Sequence, residues 1–169
     1  MKSAQAKPGG QCPNARRSWT RTHTRCETWL MALALAAFSV SMAPSAAADS
    51  TDLLRAAVAA ARPAACPVRS DPVIDQAADE INKTTDRWIN NTARAVPETN
   101  ALPILKELGY GGSKASILSG ASTSATNAIK ATLIQGFQLL PDCSYKDYGV
   151  STLYNAKKDM ILTTVVLAA

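Results

Sequence analysis

The sequence predicts an α+β fold, an α-β-α layered sandwich with a small antiparallel sheet that ends in a C-terminal hairpin. After Ser124, apolar or small side chains recur at three- and four-residue spacing, which is typical of a helix that lies on a sheet. Two β-rich segments, 149–154 and 160–167, follow it. The mainly polar residues 155–159 join them and have the length of a hairpin connection. These segments therefore predict a helix packed on a C-terminal hairpin.

The helix that follows Ser124 has one face of small and apolar residues, which should pack on the hairpin. The residues of this face are Ala125, Ala128, Ile129, Thr132, Leu133, Gly136 and Phe137. Residues 120–124 supply a turn and the helix cap, and residues 114–119 before them are interpreted as a short strand. Phe137 is expected to be a core residue.

Residues 1–48 are typical of an export signal. Four arginines precede an apolar run at 29–42, and small residues before Ala48 suit cleavage after that residue, so that the secreted form begins at Asp49. The apolar run is short for a bilayer span, so we expect no stable membrane span after processing. The expected location is secreted, either extracellular or in the cell wall.

Charge separates the signal from the remainder of the chain. The first 48 residues contain six Lys or Arg and one Glu, whereas the remainder contains twelve basic and twelve acidic residues. The net charge of +5 therefore belongs to the signal. Because no basic cluster remains after processing, we expect no nucleic-acid partner.

The remainder of the chain contains no histidine and keeps two cysteines, Cys66 and Cys143. An even pair in an oxidising compartment favours a disulfide. Closing a loop of about 78 residues would stabilise the fold by roughly 4–5 kcal/mol. Two reactive thiols are the less favoured alternative, because neither cysteine lies in a Cys-x-x-Cys motif or has a histidine to activate it.

Two helices precede the loop bounded by Pro97 and Pro103. Residues 49–65 comprise an alanine-rich helix at 52–62 and a linker, and we expect that helix to dock loosely. The next helix has Ser70 or Asp71 as cap and Pro72 at its first position. Its apolar stripe runs from Ile74 to Trp88, which is expected to anchor the core.

The opposite face of this helix carries Asp75, Asp79, Lys83 and Asp86. A row of carboxylates can serve acid/base or metal chemistry. Because Lys83 follows Asp79 by four residues, a solvated and partly paired face is the favoured interpretation.

Two short motifs in the following loop do not support phosphate binding or hydrolysis. Residues 104–108 predict a short helix, and Gly109–Lys114 lacks the Walker spacing, so we expect a tight turn with positive φ at its glycines. Ser116 has no Gly-x-Ser-x-Gly context and no histidine base, which argues against a serine hydrolase.

Residues 66–167 resemble the CAP superfamily (cysteine-rich secretory proteins, antigen 5 and pathogenesis-related 1), in a pattern nearest to short actinobacterial secreted members. The likeness lies in the start of the long helix at 68–74, in the motif Ser-Ile-Leu-Ser-Gly at 116–120 and in Tyr-Lys-Asp-Tyr-Gly-Val at 145–150. The resemblance implies an α-β-α fold for a domain at 66–169.

The resemblance also locates a candidate cleft. The family's cleft uses two histidines and two acids, but here Asn91 lies near the place of the first histidine and Ser116 near that of a glutamate. The Leu-Pro-Asp-Cys segment at 140–143 replaces the helix end that bears the second histidine. Trp88, Phe137 and Tyr148 complete the candidate cleft. Without imidazole we expect no zinc site, no cofactor and no catalytic residue.

The sequence leaves three functions to compare. The first is a secreted, non-enzymatic CAP-like module that binds an apolar ligand, a lipid or a cell-wall component between the helices and the sheet. The alternative is a structural or protein-interaction domain of the envelope without a small-molecule site. An enzyme is disfavoured, because no nucleophile with a neighbouring base can be identified in the sequence.

Overall fold

A computed structural model of the protein describes residues 46–169, with side chains from Ser50 onward. The predicted signal peptide therefore lies almost entirely outside the described residues. The helices are α1 (Ala46–Ala60), α2 (Pro72–Ile89), α3 (Leu102–Glu107) and α4 (Ala125–Gln135). The strands are β1 (Arg69–Ser70), β2 (Ala115–Ser122), β3 (Asp147–Asn155) and β4 (Met160–Ala168). The predicted α+β class is confirmed.

The C-terminal strand β4 lies in the middle of a four-stranded sheet of order β1-β3-β4-β2. β4 pairs antiparallel with β3 from Met160 to Ala168 and antiparallel with β2 from Ile161 to Ala168. The β3–β4 pair is the hairpin that the sequence predicts. The two-residue strand β1 pairs parallel with the start of β3.

Alternate side chains of β4 enter two separate hydrophobic clusters, one on each face of the sheet. Val165 and Leu167 pack with residues of α1 and α4. Val166 and Ala168 pack with residues of α2 and α3. Residues 46–169 therefore form three layers, with α1 and α4 on one side of the sheet and α2 and α3 on the other.

The N-terminal helix is an integral part of the first cluster. Leu54 and Val58 are fully buried there against β3 and β4 residues such as Val150. The expectation of a loosely docked arm is therefore wrong. Leu54 and Val58 are one turn apart on the same face of α1, and Arg55 adds an ion pair with Asp75 of α2.

Helix α2 begins as the sequence predicts and departs from the prediction at its end. Asp71 is the N-cap, because its Oδ1 accepts the Val73 amide at 2.8 Å, and Pro72 follows it. Trp88 is 47% exposed, so its prediction as a core anchor is wrong. At this end of α2, Asp86 and Asn90 face the sheet instead, where both accept hydrogen bonds from the Asn155 side chain.

Phe137 is also not a core residue. It is 77% exposed, because α4 ends at Gln135 and Phe137 lies past the C-cap Gly136. The helical spacing of the sequence continues beyond the last helical residue. Ala128, Ile129 and Thr132 are the buried residues of α4.

The charged face of α2 is only partly solvated. Lys83 pairs with Asp79 at 2.7 Å, as predicted. However, Asp75 accepts the backbone amide of Val150 at 2.7 Å, which joins α2 to the outer edge of β3. The interpretation as a solvated and partly paired face therefore agrees with the pairing of Asp75 and Asp79, and Asp75 has the additional role of binding the sheet.

The loop before β2 contains one glycine in the left-handed region, Gly109 with φ of 85°. The expectation of positive φ at each of its glycines is therefore wrong for Gly111 and Gly112. Among residues 46–169, no helix is long and apolar enough to cross a bilayer.

Two strand glycines allow helices to approach the sheet closely. A Cβ atom on Gly149 would lie 2.2 Å from backbone atoms of Ile74 and Asp75 in α2. A Cβ atom on Gly120 would lie 2.3 Å from the Ala128 carbonyl of α4 on the other face. Each helix layer is thus in contact with the sheet backbone at a glycine.

We predict that Gly149→Ala destabilises the protein by about 1–3 kcal/mol, because the new methyl group meets backbone that cannot rotate away. The measurement is the midpoint of chemical denaturation. Gly111→Ala is the matched control, since nothing lies within 4 Å of its Cβ position, and its stability should change by less than about 0.5 kcal/mol. Equal midpoints for both variants would contradict the proposed close approach.

Candidate functional site

Cys66 and Cys143 form a disulfide, as the sequence predicts, with their Cα atoms 5.5 Å apart. The bridge joins the segment between α1 and β1 to the loop that enters β3. It therefore connects the two ends of a long stretch of chain at one end of the sheet.

Arg62 lies beside the disulfide and is 7% exposed. Its guanidinium donates to the Leu140 carbonyl and, at 3.0 Å, to the Asp142 carbonyl. It also donates to the carbonyls of Cys66 at 3.2 Å and Tyr145 at 3.1 Å. One planar side chain thus holds four carbonyls on both sides of the disulfide.

These acceptors are neutral, so the burial of the Arg62 cation is compensated by carbonyl dipoles rather than by a paired carboxylate. Burial lowers the pKa of Arg62 from its usual value. A guanidinium stays protonated nevertheless, and its five donors suit several carbonyls at once. Sequence analysis missed Arg62, because an arginine at a helix end before a proline carries no distinguishing pattern.

Ser116 lies at the start of β2, close to the disulfide loop. Its Oγ is 2.6 Å from the Oη of Tyr145, which is almost fully buried. The Nζ atom of Lys114 lies 4.1 Å from the centre of the Tyr145 ring. The same Nζ donates to Asp142 at 2.9 Å and to Ser144 at 2.6 Å.

Lys114 and Asp142 strengthen each other's charged state. The hydrogen bond from Lys114, followed by those from Ser144, holds the pKa of Asp142 well below its usual value. The bond to Asp142 in turn raises the pKa of Lys114. The amine is therefore an ammonium ion at neutral pH and cannot accept a proton from Ser116.

A second polar cluster fixes β1 and the loop after α3. Asp147 accepts from the Tyr110 hydroxyl at 2.9 Å and pairs with Arg69 at 2.9 Å. Burial, followed by the bond to Asp147, raises the pKa of Tyr110 to about 12. Tyr110 is therefore a hydrogen-bond donor throughout the physiological pH range.

Two grooves border the sheet. The larger, of about 390 Å³, is polar and lies between α1, α2 and β3. Its lining residues include Arg55, which pairs with Asp75 at 3.3 Å, and Asp79, which pairs with Lys83. Both carboxylates in its wall are thus already bound by cations.

The smaller groove, of about 190 Å³, lies between α2 and the strands β2 and β4. Asn82 and Thr85 of α2 form one wall, and small residues of β2 such as Ser119 and Ala121 form another. Asn82 is 1% exposed, and its Oδ1 atom has no hydrogen-bond partner. Its Nδ2 donates to the Leu162 carbonyl at 3.3 Å, which fixes the orientation of the amide.

The candidate cleft of the sequence analysis does not assemble into one site. Ser116 and Tyr148 lie in one row of the sheet, on either side of Leu167. Asn91 and Trp88 lie at the C-terminal end of α2, next to Asn155, which pairs with Met160. The two rows are seven residue steps apart along β4, a distance of about 23 Å.

Phe137 is also apart from Trp88, since it follows α4 on the other face of the sheet. The exposed aromatic side chains therefore do not line one cleft. Among residues 46–169, no group of three or more His, Cys, Asp or Glu side chains could hold a metal ion.

The fold is similar to that of an outer surface protein. The structure matches an outer surface protein from Borrelia burgdorferi with a TM-score of 0.57, over 71% of this chain and 92% of that chain. Sequence identity is 12%, so the likeness shows the fold alone. No protein-family model and no curated protein matches the sequence.

We predict that Arg62→Lys destabilises the disulfide-bonded protein by about 1–3 kcal/mol, since one ammonium cannot satisfy four buried carbonyls. The denaturation midpoint under non-reducing conditions measures the effect. Arg87→Lys is the matched control, because Arg87 is exposed near the end of α2, and it should leave the midpoint unchanged. A midpoint for Arg62→Lys equal to that of the control would show that the carbonyls do not depend on the guanidinium.

Proposed function

We propose that the protein is a secreted, non-enzymatic CAP-like module of the cell envelope that acts as a protein-interaction or structural domain. The observation that carries the proposal is the Cys66–Cys143 disulfide with Arg62 enclosed beside it. A structural disulfide in a small domain is typical of proteins that fold outside the reducing cytoplasm.

The similarity in fold to an outer surface protein supports an envelope location. The resemblance of residues 66–167 to the CAP superfamily supports the same assignment, because that family consists largely of secreted proteins. The layered sandwich also agrees with the fold that the resemblance implies.

Binding is favoured over catalysis by the state of the candidate nucleophile. Ser116 contacts the hydroxyl of Tyr145, and the neighbouring amine of Lys114 is held as a cation by Asp142. A serine needs a base within hydrogen-bond reach to attack a substrate. The protonated amine of Lys114 does not supply one.

A protein-interaction role is favoured over a ligand between the layers. Side chains of the two hydrophobic clusters occupy the two interfaces between the sheet and the helix layers, and the two grooves described above are open and lined largely by polar or small residues. One observation supports an apolar ligand or lipid as second candidate. Ile134 and Phe137 form an exposed apolar pair at the end of α4, and such side chains can enter a lipid surface.

The test uses intact cells of the native host. We predict that an added protease degrades cell-associated protein, or that the protein is found in the medium, while a cytosolic marker stays intact. Cys66 and Cys143 should react with a thiol reagent only after reduction. Protein that resists protease until the cells are lysed, with both thiols reactive, would refute the envelope assignment.

Vesicles made from host lipids separate the two candidates. If the protein has the interaction role, the fraction of wild-type protein that sediments with the vesicles should not exceed the fraction of a Phe137→Ser variant. Vesicle binding that this substitution abolishes would favour the lipid candidate instead.

A further inference from the structure

Strand β2 forms one edge of the sheet, and alternate backbone groups along it point away from β4. Lys114 and Ala169 exchange two backbone hydrogen bonds of 2.9 Å across the pair. In an antiparallel ladder such pairs alternate with pairs whose N–H and C=O groups face outward. The outward groups therefore belong to Ile117, Ser119 and Ala121.

A side-chain amide occupies the middle of this edge. The amide of Ser119 donates to Oε1 of Gln135, which is at the C-terminal end of α4. The oxygen of Gln135 thus takes the position that the carbonyl of a further strand would take. Among residues 46–169, no such contact reaches the outward amides of Ile117 and Ala121.

The residues of β2 include neither a charged side chain nor a proline, two features that usually prevent strand addition. β2 has the sequence Ala-Ser-Ile-Leu-Ser-Gly-Ala-Ser, with no charged residue and no proline over eight residues. Natural edge strands are commonly protected by lysines, prolines or bulges, because exposed backbone groups pair with other chains. A charged side chain of a partner strand would find no opposite charge along β2, so an uncharged partner segment is favoured.

The two sides of the edge differ in polarity. Towards α4, the side chains of Ile134 and Phe137 are 69% and 77% exposed on either side of Gln135. Towards α2, the smaller groove borders Ser119 and Ala121 and has the buried Asn82 in its wall. Ser119 and the Thr85 side chain in the opposite wall make this side the more polar of the two.

We propose that the outer edge of β2 binds an extended, uncharged peptide segment of a partner protein by β-strand addition. This inference rests on the proposed interaction role. The backbone of the segment pairs with Ile117, Ser119 and Ala121, and its carbonyl displaces Gln135 from Ser119. Its side chains alternate, with apolar residues beside Ile134 and Phe137 and hydroxyl or amide donors beside the groove.

The test titrates capped eight-residue peptides of alternating valine and serine into the isotope-labelled, disulfide-bonded protein and follows its amide resonances. The proposal predicts saturable shifts at Ile117, Ser119 and Ala121. The matched control peptide has the same sequence with methyl groups on alternate backbone nitrogens. It keeps the side chains and should bind at least about tenfold more weakly.

Two protein variants sharpen the test. Gln135→Ala removes the displaced side chain and should raise the affinity several-fold. Ala121→Pro removes one outward amide and leaves the β4 ladder intact, so affinity should fall by about tenfold. If Ala121→Pro does not fold, the N-methylated peptide and Gln135→Ala still decide the question.

Each of the following outcomes would overturn the inference. Equal affinity for the methylated and unmethylated peptides would exclude backbone pairing. Dimerisation of the protein alone that Ala121→Pro abolishes would assign the edge to a second copy. Failure of peptide binding in a protein that is accessible on intact cells would refute this inference and leave the proposed function standing.

Discussion

The position of β4 in the centre of the sheet is the constraint on which the rest of the structure depends. It is hydrogen-bonded on both sides, and its alternate residues are shared between two cores, Val165 and Leu167 in one and Val166 and Ala168 in the other. Neither helix layer can bury its apolar face until β4 has paired with the other strands of the sheet. The disulfide and Arg62 both lie at the end of the sheet where β3 begins, and they hold the loop that enters β3 against the end of α1.

At each edge of the sheet a side chain accepts one outward backbone amide, in different ways. On β3, a carboxylate of α2 accepts the outward amide of Val150, and β1 covers the start of the strand. On β2, a neutral amide at a helix end accepts the outward amide of Ser119. A half-buried, charged acceptor that also binds Arg55 is harder to displace than an exposed neutral one. Because of this asymmetry, a partner strand would displace the side-chain acceptor more easily at β2 than at β3.

Features encoded by neighbouring residues could be predicted, and features that depend on distant residues could not. The hairpin and the Asp71 cap were predictable because a turn and a cap lie within a few residues, and the disulfide followed from there being only two candidate cysteines. The burial of Trp88 and Phe137 was predicted wrongly. The spacing of apolar residues identifies one face of a helix, but it does not identify the helical turn beyond which the sheet no longer covers that face. The carbonyl of Tyr145 lies 83 residues from Arg62, so no local pattern indicates that contact. The Gln135–Ser119 bond has no sequence signal either.

Amide hydrogen exchange tests this account of the sheet most directly. The account predicts the slowest exchange within residues 46–169 at β4 amides such as Val165, because β4 is paired on both sides and buried on both faces. On β2 it predicts protection at Ser119 and rapid exchange at Ile117 and Ala121. Gln135→Ala should make Ser119 exchange as fast as these two. Uniform protection along the outer edge of β2, unchanged by that substitution, would contradict an edge closed only by the side chain of Gln135.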